Sequence, residues 1–503
     1  MVVALDPIGT REMQSIERNA EYAGLNISTL MENAGQAIVN AVNKHIEISG
    51  KQIVIYAGLG GNGGDGFVAA RKFLSKDAHI KVIVLGNPKD IKHKSTQENY
   101  NKLRRLKDIK IVKAGDPSQL TKVKADIVVD AMLGTGVKGP LREPVNTAVK
   151  IMNQTKGFKV AVDTPTGLNP DTGQVSSTGV VKADLTVTFH RPKTGFSIKG
   201  VKRYIGELVV ADIGISKDIE ELAGPGDLWL ALGKRSPSSH KGDNGRILIL
   251  GASDLYVGAP ALAGLAALRT GADIVRIAAP EESAKIIASF SPNLITYRLK
   301  GDYITSRSSS VILKLLPQHD TIIIGPGLGD RPETMEAVGD VIRHANSQAL
   351  KCVIDADALT IAAQFPQKLP HQTVLTPHAG EFKEMLGEKP PSDLKQRGKS
   401  VLNATKKLGC TILLKGPVDV ISDGKNIKYN HTGNAGMTVG GTGDVLAGIV
   451  GSLLSQGSSP FSAAAAGAYL NGAAGDLAFR DKGNQLIATD LIENLPWVIN
   501  QME

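Results

Sequence analysis

Residues 52–66 have the sequence QIVIYAGLGGNGGDG, and the fold of the first half of the chain can be inferred from them. Gln52–Ala57 is a short apolar run of the kind that forms a buried strand. Three of the glycines that follow fit the spacing GxGxxG, and a helical pattern begins at Phe67. Glycines there let backbone N–H groups approach a phosphate at the helix N-terminus. The stretch therefore predicts a nucleotide-binding α/β fold.

Strand-like and helical segments alternate along the rest of the chain. Helical patterns precede the glycine-rich stretch at Thr10–Tyr22 and Ser28–His45, and Ser28 is the expected N-cap of the second. Further strands of the first half are predicted at Ile80–Leu85, Ile127–Asp130, Val160–Asp163, Leu185–Phe189 and Glu207–Ala211. Strands of the second half are predicted at Arg246–Leu250, Asp273–Ala278, Thr321–Ile324, Cys352–Ile354, Thr373–Leu375, Thr411–Leu414, Val418–Ile421 and Asn426–Tyr429. Two Ala- and Gly-rich helices are expected to end the chain, at Thr442–Leu454 and Ser462–Phe479. This alternation predicts mostly parallel sheets covered by helices on both faces.

The length of the chain predicts more than one domain. Its 503 residues exceed what one hydrophobic core usually organises. Around residues 217–234 glycine, proline and polar residues interrupt the alternating pattern. We therefore predict an α/β domain at residues 1–216, a linker at 217–234 and a second α/β domain at 235–503.

Charge and composition narrow the class of protein. The formal net charge of +9 favours anionic ligands, but the basic residues are scattered. The locally basic stretch Ile91–Lys113 is interpreted as a solvated helix face, and nucleic acid is not expected as a partner. Cys352 and Cys410 lie in apolar runs, as buried reduced thiols do. With no apolar run long enough for a bilayer and no signal-peptide pattern, we expect a cytoplasmic protein without a membrane partner. Ala- and Gly-rich helix faces favour a homo-oligomer.

Two predicted strands of the first half end in carboxylates. Asp130 lies in VVDAMLGTGVKGP (128–140), and Asp163 and Thr166 lie in AVDTPTGLNP (161–170). The carboxyl ends of parallel strands meet at one edge of a sheet, so these side chains are expected to share a crevice with the glycine loop. Each residue alone is also compatible with a structural cap. A dinucleotide-dependent redox enzyme is disfavoured, because no acidic residue follows the second strand before Asp90.

The second half has its own phosphate-binding pattern. NAGMTVGGTGDVLAGIVG (434–451) places glycines at the start of a helix and Asp444 in its first turn. Backbone N–H groups there stabilise a transferring phosphoryl group, and an adjacent carboxylate accepts the proton of an attacking hydroxyl. His378 and Lys415 follow two other predicted strands, in TPHAGEF and LLKG. Asp355 and Asp357 follow a third, where they either support a magnesium ion or cap the next helix.

The first half resembles the NAD(P)H-hydrate epimerase family in GNGGDG (61–66), DAMLGTGVKGP (130–140), DTPTGLNPDTG (163–173) and TFHRPKTG (188–195). The resemblance implies a Rossmann-like three-layer domain that binds hydrated NAD(P)H beside a potassium ion. By position it implies potassium ligands at Asn62, Asp130 and Thr166. It implies substrate contacts at Gly61, Asn62, Gly63, Gly64, Asp65, Gly134, Thr135, Gly136, Val137, Lys138, Gly139, Pro140 and Asp163. The family usually has two consecutive asparagines where this chain has Gly61 and Asn62. Asp163 is the candidate base, and Lys193 is a weaker candidate with a surface role as the alternative.

The second half is similar to the ribokinase-like superfamily and, more narrowly, to ADP- or ATP-dependent NAD(P)H-hydrate dehydratase. The resemblance rests on SHKGDNGRILILGAS (239–253), YVGAPALAGLAALRTGAD (256–273), GPGLG, DADAL, TPHAGEF, LLKG and GGTGDVLAG. It implies a ribokinase-like three-layer domain with hydrate contacts at Ala259, Gly327, His378 and the catalytic Asp444. It implies a nucleotide site at Lys415, Gly416, Pro417, Val418, Asp419 and Gly443.

Together the two resemblances imply a fused enzyme for the repair of hydrated NADH and NADPH. The first domain would interconvert the R and S hydrates. The second would dehydrate the S hydrate with ADP and Mg²⁺, releasing AMP and phosphate. The main alternative is a ribokinase-like small-molecule kinase with a catalytically silent nucleotide-binding first domain.

Overall fold

The computed structural model describes residues 6–134, 139–233, 235–364, 369 and 371–502. The chain forms two compact units that divide between Lys217 and Asp218. Each unit contains its own sheet, and each is described separately below.

The first unit is built on a seven-stranded sheet in the order β3-β2-β1-β4-β5-β6-β7. Its strands are β1 (Gln52–Ala57), β2 (His79–Leu85), β3 (Ile109–Ala114), β4 (Ile127–Ala131), β5 (Phe158–Val162), β6 (Leu185–Phe189) and β7 (Glu207–Ala211). Its helices are α1 (Thr10–Tyr22), α2 (Ile27–Asn43), α3 (Gly61–Leu74), α4 (Lys94–Leu103), α5 (Val145–Gln154) and α6 (Lys202–Ile205). All neighbouring strands run parallel.

The strand order of the first unit reverses between β1 and β4. These strands end in register, with Ala57 opposite Ala131. Alternate residues of β1 point to opposite faces: Val54 and Tyr56 join a buried cluster that includes helix α5, while Ile55 faces helix α3. Since ligands of open parallel sheets bind where the strand order reverses, this edge is the place to seek a site.

The second unit is built on a nine-stranded sheet in the order β10-β9-β8-β11-β12-β13-β14-β15-β16. Its strands are β8 (Arg246–Leu250), β9 (Ile274–Pro280), β10 (Ile295–Leu299), β11 (Thr321–Ile324), β12 (Lys351–Ile354), β13 (Thr373–Leu375), β14 (Thr411–Leu414), β15 (Asp419–Ser422) and β16 (Ile427–Asn430). Its helices are α7 (Lys217–Glu220, at the boundary), α8 (Pro225–Ala231), α9 (Gly258–Arg269), α10 (Glu281–Phe290), α11 (Ser306–Leu315), α12 (Pro332–Ser347), α13 (Ala358–Ala363), α14 (Ala379–Leu386), α15 (Leu394–Leu408), α16 (Thr442–Ser455), α17 (Pro460–Lys482) and α18 (Ala488–Asn500). β15 and β16 are antiparallel additions to a parallel sheet.

Helices cover both faces of the second sheet. Ile247 and Ile249 of β8 pack in a cluster with α9, α16 and α17, whereas Leu248 and Leu250 pack in another with α11 and α12. Residues 463–466 of α17 are fully buried in the first cluster. These small side chains therefore serve internal packing and do not form an assembly surface, so the homo-oligomer stays a prediction.

The predicted linker is folded, so that prediction is wrong. Its described part, residues 217–233, contains α7 and α8, and Leu228 is fully buried in the core of the second unit. Asp227 and Lys428 form an ion pair of 2.9 Å, and the Ala223 N–H donates to the Tyr429 carbonyl. Hydrophobic burial and these polar contacts fix the segment to the second unit, although its Gly and Pro content is typical of a linker.

Other local predictions also need correction. Asn26 caps helix α2 by accepting a hydrogen bond from the Ser28 N–H, so Ser28 is not the N-cap. The basic stretch Ile91–Lys113 contains not only helix α4 but also most of strand β3, and strand β10 and helix α18 were not predicted. Within the described ranges no helix is long and apolar enough to cross a membrane, and the cytoplasmic location stays a prediction.

Candidate active sites

The first glycine loop lies against the end of strand β4. Helix α3 begins at Gly61, six residues earlier than the sequence pattern indicates, so the motif residues Gly61–Asp65 form its first turn rather than a loop. A side chain at Gly58 would overlap the Met132 carbonyl oxygen. Glycine is therefore required for the close approach of the two strand ends, and the N–H groups of the α3 N-terminus face the place where the strand order reverses.

Asp130 and Thr166 are in direct contact beside this loop. Asp130 is fully buried, and its two carboxylate oxygens accept hydrogen bonds from the Thr166 N–H and hydroxyl, each at 2.7 Å. Asn62 is also buried and donates to the Val162 carbonyl at 3.1 Å. The structure thus brings the three proposed cation ligands to the ends of neighbouring strands.

The electrostatics of Asp130 fit a cation. Burial raises its pKa to about 6, although hydrogen bonds from Thr166 and Met132 act in the opposite direction. Its hydrogen-bond partners among the described residues include no positively charged side chain. A buried carboxylate with oxygen-bearing neighbours such as Asn62 and Thr166 suits a hard cation, which would offset the cost of burying the charge.

The second glycine segment of this unit is only partly described. A β-carbon at Gly134 would stand 3.5 Å from the Asn62 side chain, so this residue borders the proposed cation ligands. Gly139 and Pro140 line a cavity of about 170 Å³ together with residues 167–169 and 174–177. The proposed substrate contacts Thr135, Gly136, Val137 and Lys138 lie outside the described residues.

Asp163 is held by a buried lysine. Its backbone is left-handed, with φ of 59°, and its Oδ1 accepts from the Thr188 hydroxyl at 2.9 Å. The Lys193 ammonium lies 2.8 Å from the same oxygen, and only 1% of the Lys193 surface is exposed. The surface role considered for Lys193 is therefore wrong.

Glu17 was not predicted from the sequence as a site residue, and Asp65 was predicted only as a substrate contact. Both half-buried carboxyl groups interact electrostatically with Asp163. Burial, reinforced by the Asp163 charge, raises the pKa of Glu17 to about 7 even though Lys193 acts to lower it. Burial and the charges of Asp163 and Glu17 raise the pKa of Asp65 well above its usual range. This edge of the sheet thus combines an ion-paired carboxylate with two carboxyl groups whose pKa values are raised.

The second site is centred on Lys415. Its ammonium lies 2.9 Å from Asp355 Oδ1 and 3.9 Å from Glu381 Oε2. Burial alone would lower the pKa of Lys415, but these two carboxylates outweigh it and raise the pKa. A β-carbon at Gly443 would stand 3.3 Å from the Lys415 Nζ, so the start of helix α16 approaches this cation closely.

Asp444 belongs to the same cluster. Burial raises its pKa to about 7, the Asp355 charge adds to this, and Lys415 acts in the opposite direction. Such a group exchanges protons near neutral pH, as a general base requires. It lies in the first turn of α16, whose free N–H groups favour negative charge.

His378 is the N-cap of helix α14. Its Nδ1 accepts from the Gly380 N–H at 2.9 Å, and its own N–H donates to Glu381 Oε2 at 2.7 Å. The ring is mostly exposed, with 59% of its side-chain surface accessible. His378 and Lys415 pair as an isolated bridge, so the structure brings the loops TPHAGEF and LLKG together.

The remaining predicted contacts lie at neighbouring strand ends. A β-carbon at Gly327 would lie 3.5 Å from the Ala259 β-carbon, which places these two hydrate contacts side by side. The Gly416 N–H donates to Asp419 Oδ1 at 2.9 Å across a bend that also contains Pro417 and Val418. Burial raises the pKa of Asp419 to about 6.

Asp355 and Asp357 do not cap helix α13 through their side chains. Asp355 accepts from Lys415 and from the Thr376 hydroxyl, and Asp357 accepts from the Gly329 N–H at 2.9 Å. In the described part of the chain, no group of three or more His, Cys, Asp or Glu residues is arranged to hold a metal. Magnesium is commonly held by one or two carboxylates together with substrate phosphates, so these two aspartates still fit that role.

Comparisons with known proteins cover both units. The family model described as YjeF-related protein N-terminus matches residues 27–195, and the model described as NAD(P)H-hydrate dehydratase matches residues 247–497. A bifunctional NAD(P)H-hydrate repair enzyme from Pyrobaculum aerophilum is 43% identical over 503 residues, which are 99% of each chain. The enzyme of the same description from Archaeoglobus fulgidus is 44% identical over 98% of each chain.

A solved structure extends the comparison of the second unit. The ADP/ATP-dependent NAD(P)H-hydrate dehydratase from Bacillus subtilis, co-crystallised with ATP/Mg²⁺, is 30% identical, with a TM-score of 0.50. The alignment covers 56% of this chain and 98% of that one. The predicted fold class, two α/β domains of which the second is ribokinase-like, is confirmed.

Proposed function

Because the chain belongs to the bifunctional NAD(P)H-hydrate repair enzymes, we propose that it restores hydrated NADH and NADPH to the reduced cofactors. The first unit interconverts the R and S hydrates, and the second dehydrates the S hydrate. The observation that carries this assignment is the presence of two separate charged sites, around Asp163 and around Asp444, each at the strand ends of its own sheet. A single-site kinase would not need the first.

In the second unit we propose that Asp444 removes the proton of the ring hydroxyl while the hydroxyl oxygen attacks the terminal phosphoryl group of the nucleotide. Its raised pKa supports this role. Lys415 and the N–H groups at Gly443 stabilise the charge that develops on the transferring group. Phosphate then leaves the ring carbon with the electron pair of its carbon–oxygen bond, and the adjacent ring carbon loses a proton to the departing phosphate or to water, so that the double bond of the nicotinamide ring re-forms. His378 and the adjacent pair Ala259 and Gly327 are placed to hold the hydrate.

ADP is the proposed phosphoryl donor, which would make AMP and phosphate the products. The likeness to the ADP/ATP-dependent dehydratase from Bacillus subtilis, which was co-crystallised with ATP/Mg²⁺, supports the use of ADP or ATP together with Mg²⁺. Asp355 and Asp357 are the residues that would hold the metal, which neutralises phosphate charge when it is bound. The nucleotide site comprises Lys415–Asp419 and Gly443.

In the first unit Asp163 is the proposed base for epimerisation. Asn62, Asp130 and Thr166 would hold potassium. This choice is supported by the burial of Asp130, whose hydrogen-bond partners among the described residues include no positively charged side chain. The substrate would lie along residues 61–65 and 134–140, next to the α3 N-terminus. An ion there would fix the strand ends and attract the anionic cofactor.

One assay tests both activities. The wild-type protein is incubated with ADP, Mg²⁺ and a mixture of R and S hydrates, and the returning near-ultraviolet absorbance of NADH is followed. We expect complete recovery with the wild type, rapid recovery of the S fraction alone with Asp163→Asn, and none with Asp444→Asn. The exposed substitutions Asp108→Asn and Asp302→Asn are the matched controls and should behave as wild type.

Two results would contradict the proposal. A stable phosphorylated alcohol without recovered NADH would identify a kinase instead. Equal and complete recovery by Asp163→Asn and the wild type, above the spontaneous rate, would show that the first unit is catalytically silent. Replacing ADP by ATP in the same assay shows which of the two nucleotides the protein uses as phosphoryl donor.

A further inference from the structure

Lys193 is a buried cation at the epimerase site with a defined set of partners. Its ammonium contacts Asp163 Oδ1 at 2.8 Å and the Thr188 hydroxyl at 3.0 Å. The carbonyls of Phe189 and Arg191 lie at 3.5 Å. A lysine is rarely this buried unless it is paired, so the cost of removing its charge from water is met by Asp163.

The backbone fixes both partners. Ile8 and Lys193 form a parallel bridge, and the Thr194 N–H donates to the Ile8 carbonyl, so the segment before helix α1 clamps the lysine loop. Asp163 has a left-handed backbone and its N–H donates to the Val187 carbonyl at 2.8 Å. For a non-glycine residue a left-handed backbone costs conformational free energy. Such a residue keeps this conformation only where contacts with the surrounding structure impose it.

The two carboxylate oxygens of Asp163 have different surroundings. Both side-chain hydrogen bonds that the described residues give to Asp163 reach Oδ1, one from Lys193 and one from Thr188. Nothing in that part of the chain donates to Oδ2. One oxygen is therefore committed to holding the side chain, and the other is available to a ligand.

We propose that Lys193 is a positioning residue: it fixes Asp163 through Oδ1 and leaves Oδ2 as the base for epimerisation. This inference rests on the proposed epimerase activity of the first unit. It replaces the view of Lys193 as a base in its own right, because a lysine paired in this way has no free electron pair to accept a proton.

Epimerisation then proceeds through opening of the ring. Asp163 Oδ2 takes the proton from the hydroxyl of the hydrated ring carbon, and a carbon–oxygen double bond forms as the bond to the ring nitrogen breaks. The electron pair of that bond stays on the nitrogen, which is protonated by the neutral carboxyl of Asp65. Closure on the opposite face reverses both proton transfers and gives the other epimer.

Two other carboxyl groups, Glu17 and Asp65, interact electrostatically with Asp163, and burial is the main cause of their raised pKa values. Lys193 can neutralise only one of Asp163, Glu17 and Asp65, and the contact at 2.8 Å assigns its charge to Asp163. The raised pKa values of Glu17 and Asp65 agree with this division of charge. Among the described residues, Lys193, Glu17 and Asp65 are thus charged or titratable groups that interact with Asp163.

Substitution of Lys193 by methionine tests the inference in the full chain. Methionine keeps much of the volume and removes the cation. We expect the epimerase kcat to fall by about 100-fold, because Asp163 loses the contact that fixes its carboxylate and Oδ2 is no longer held in one position. KM should change by less than about threefold, since the substrate contacts are unchanged. Lys199→Met, on an exposed lysine, is the matched control.

The outcomes separate the inference from the activity on which it rests. Without epimerase activity in the wild type, the proposed function of the first unit is overturned and the inference with it. If the wild type is active and Lys193→Met keeps its kcat, only the inference is wrong. Should hydrogen exchange show that Lys193→Met unfolds the first unit, the variant Thr188→Val tests the inference instead. We expect Thr188→Val to lower kcat by about threefold to tenfold and to change KM by less than about threefold, since it removes one of the two contacts of Oδ1 and keeps the cation. An unchanged kcat would refute the positioning role.

Discussion

Replacing Glu17 by glutamine should stabilise the first unit at high pH and have little effect at low pH. The pKa of Glu17 is about 7 in the folded protein against an ordinary value of 4.5. Between these two values the folded state binds more protons than the unfolded chain, so stability falls as pH rises and levels off above about 7. At about 1.4 kcal/mol per pKa unit, the shift corresponds to about 3 kcal/mol. Glutamine resembles the protonated acid and escapes this loss.

Hydrogen exchange is the appropriate assay because both tryptophans, Trp229 and Trp497, lie in the second unit. Exchange is compared between wild type and variant for peptides from β1 and β4, at about pH 5 and about pH 8.5. Comparison at one pH cancels the intrinsic exchange rate. At the higher pH we expect exchange in the variant to be about 100-fold slower than in the wild type. At the lower pH the two exchange rates should differ by less than about fivefold. Glu12→Gln, on the exposed face of the same helix, should show neither change. Equal protection of wild type and Glu17→Gln at the higher pH would refute the buried-carboxyl argument.

Three further predictions concern other parts of the chain. The dehydratase rate at saturating ADP should rise with pH and level off above about 7, because Asp444 must lose its proton to act as a base; a rate that falls between pH 6 and 8 would contradict its role. Gly61→Asn should lower the epimerase KM by about threefold to tenfold, because a β-carbon at this position meets nothing within 4 Å and the asparagine amide adds a hydrogen-bond donor for the substrate. An unchanged KM would show that the amide finds no partner. Ala349→Gly should raise the free energy of unfolding of the second unit by about 0.5–1 kcal/mol, since Ala349 is exposed and its φ of 50° is one that glycine adopts more easily. Urea unfolding followed by tryptophan fluorescence measures this free energy, and a loss of stability would contradict the prediction.

The sequence predicted best what depends on short-range pattern and on the geometry of parallel sheets. Strands such as Gln52–Ala57 and Thr411–Leu414 have the predicted bounds, because a continuous apolar run can be buried on both faces only in such a sheet. Asp130 and Thr166 were expected at one edge because the strands before them are parallel, and they are in contact. By contrast, β3 was missed because its lysines break the apolar run at an edge of the sheet.

What the sequence did not reveal depends on contacts between distant residues. Lys193 gave the signal of an ordinary surface lysine, and only its contact with Asp163 explains its burial. Glu17 lies in an amphipathic helix, where one half-buried glutamate is unremarkable in pattern. The sequence signal for Glu17 is an acidic residue at a helical position near the buried face. That signal becomes specific only when the neighbouring residues of the sheet are known.

The two sites solve the same electrostatic problem in the same way. Each places one lysine among several carboxyl groups, Lys193 in the first unit and Lys415 in the second, and each lysine pairs closely with one aspartate. Burial, reinforced by the charge of a neighbouring aspartate, raises the pKa of Asp65 in the first cluster and the pKa of Asp444 in the second. Each cluster thus places a carboxyl group of raised pKa beside an ion-paired aspartate, an arrangement that suits proton transfer. Adding a second cation beside Asp65 in the first cluster should therefore impair epimerisation, because it would favour the ionised form of the carboxyl group that has to donate the proton.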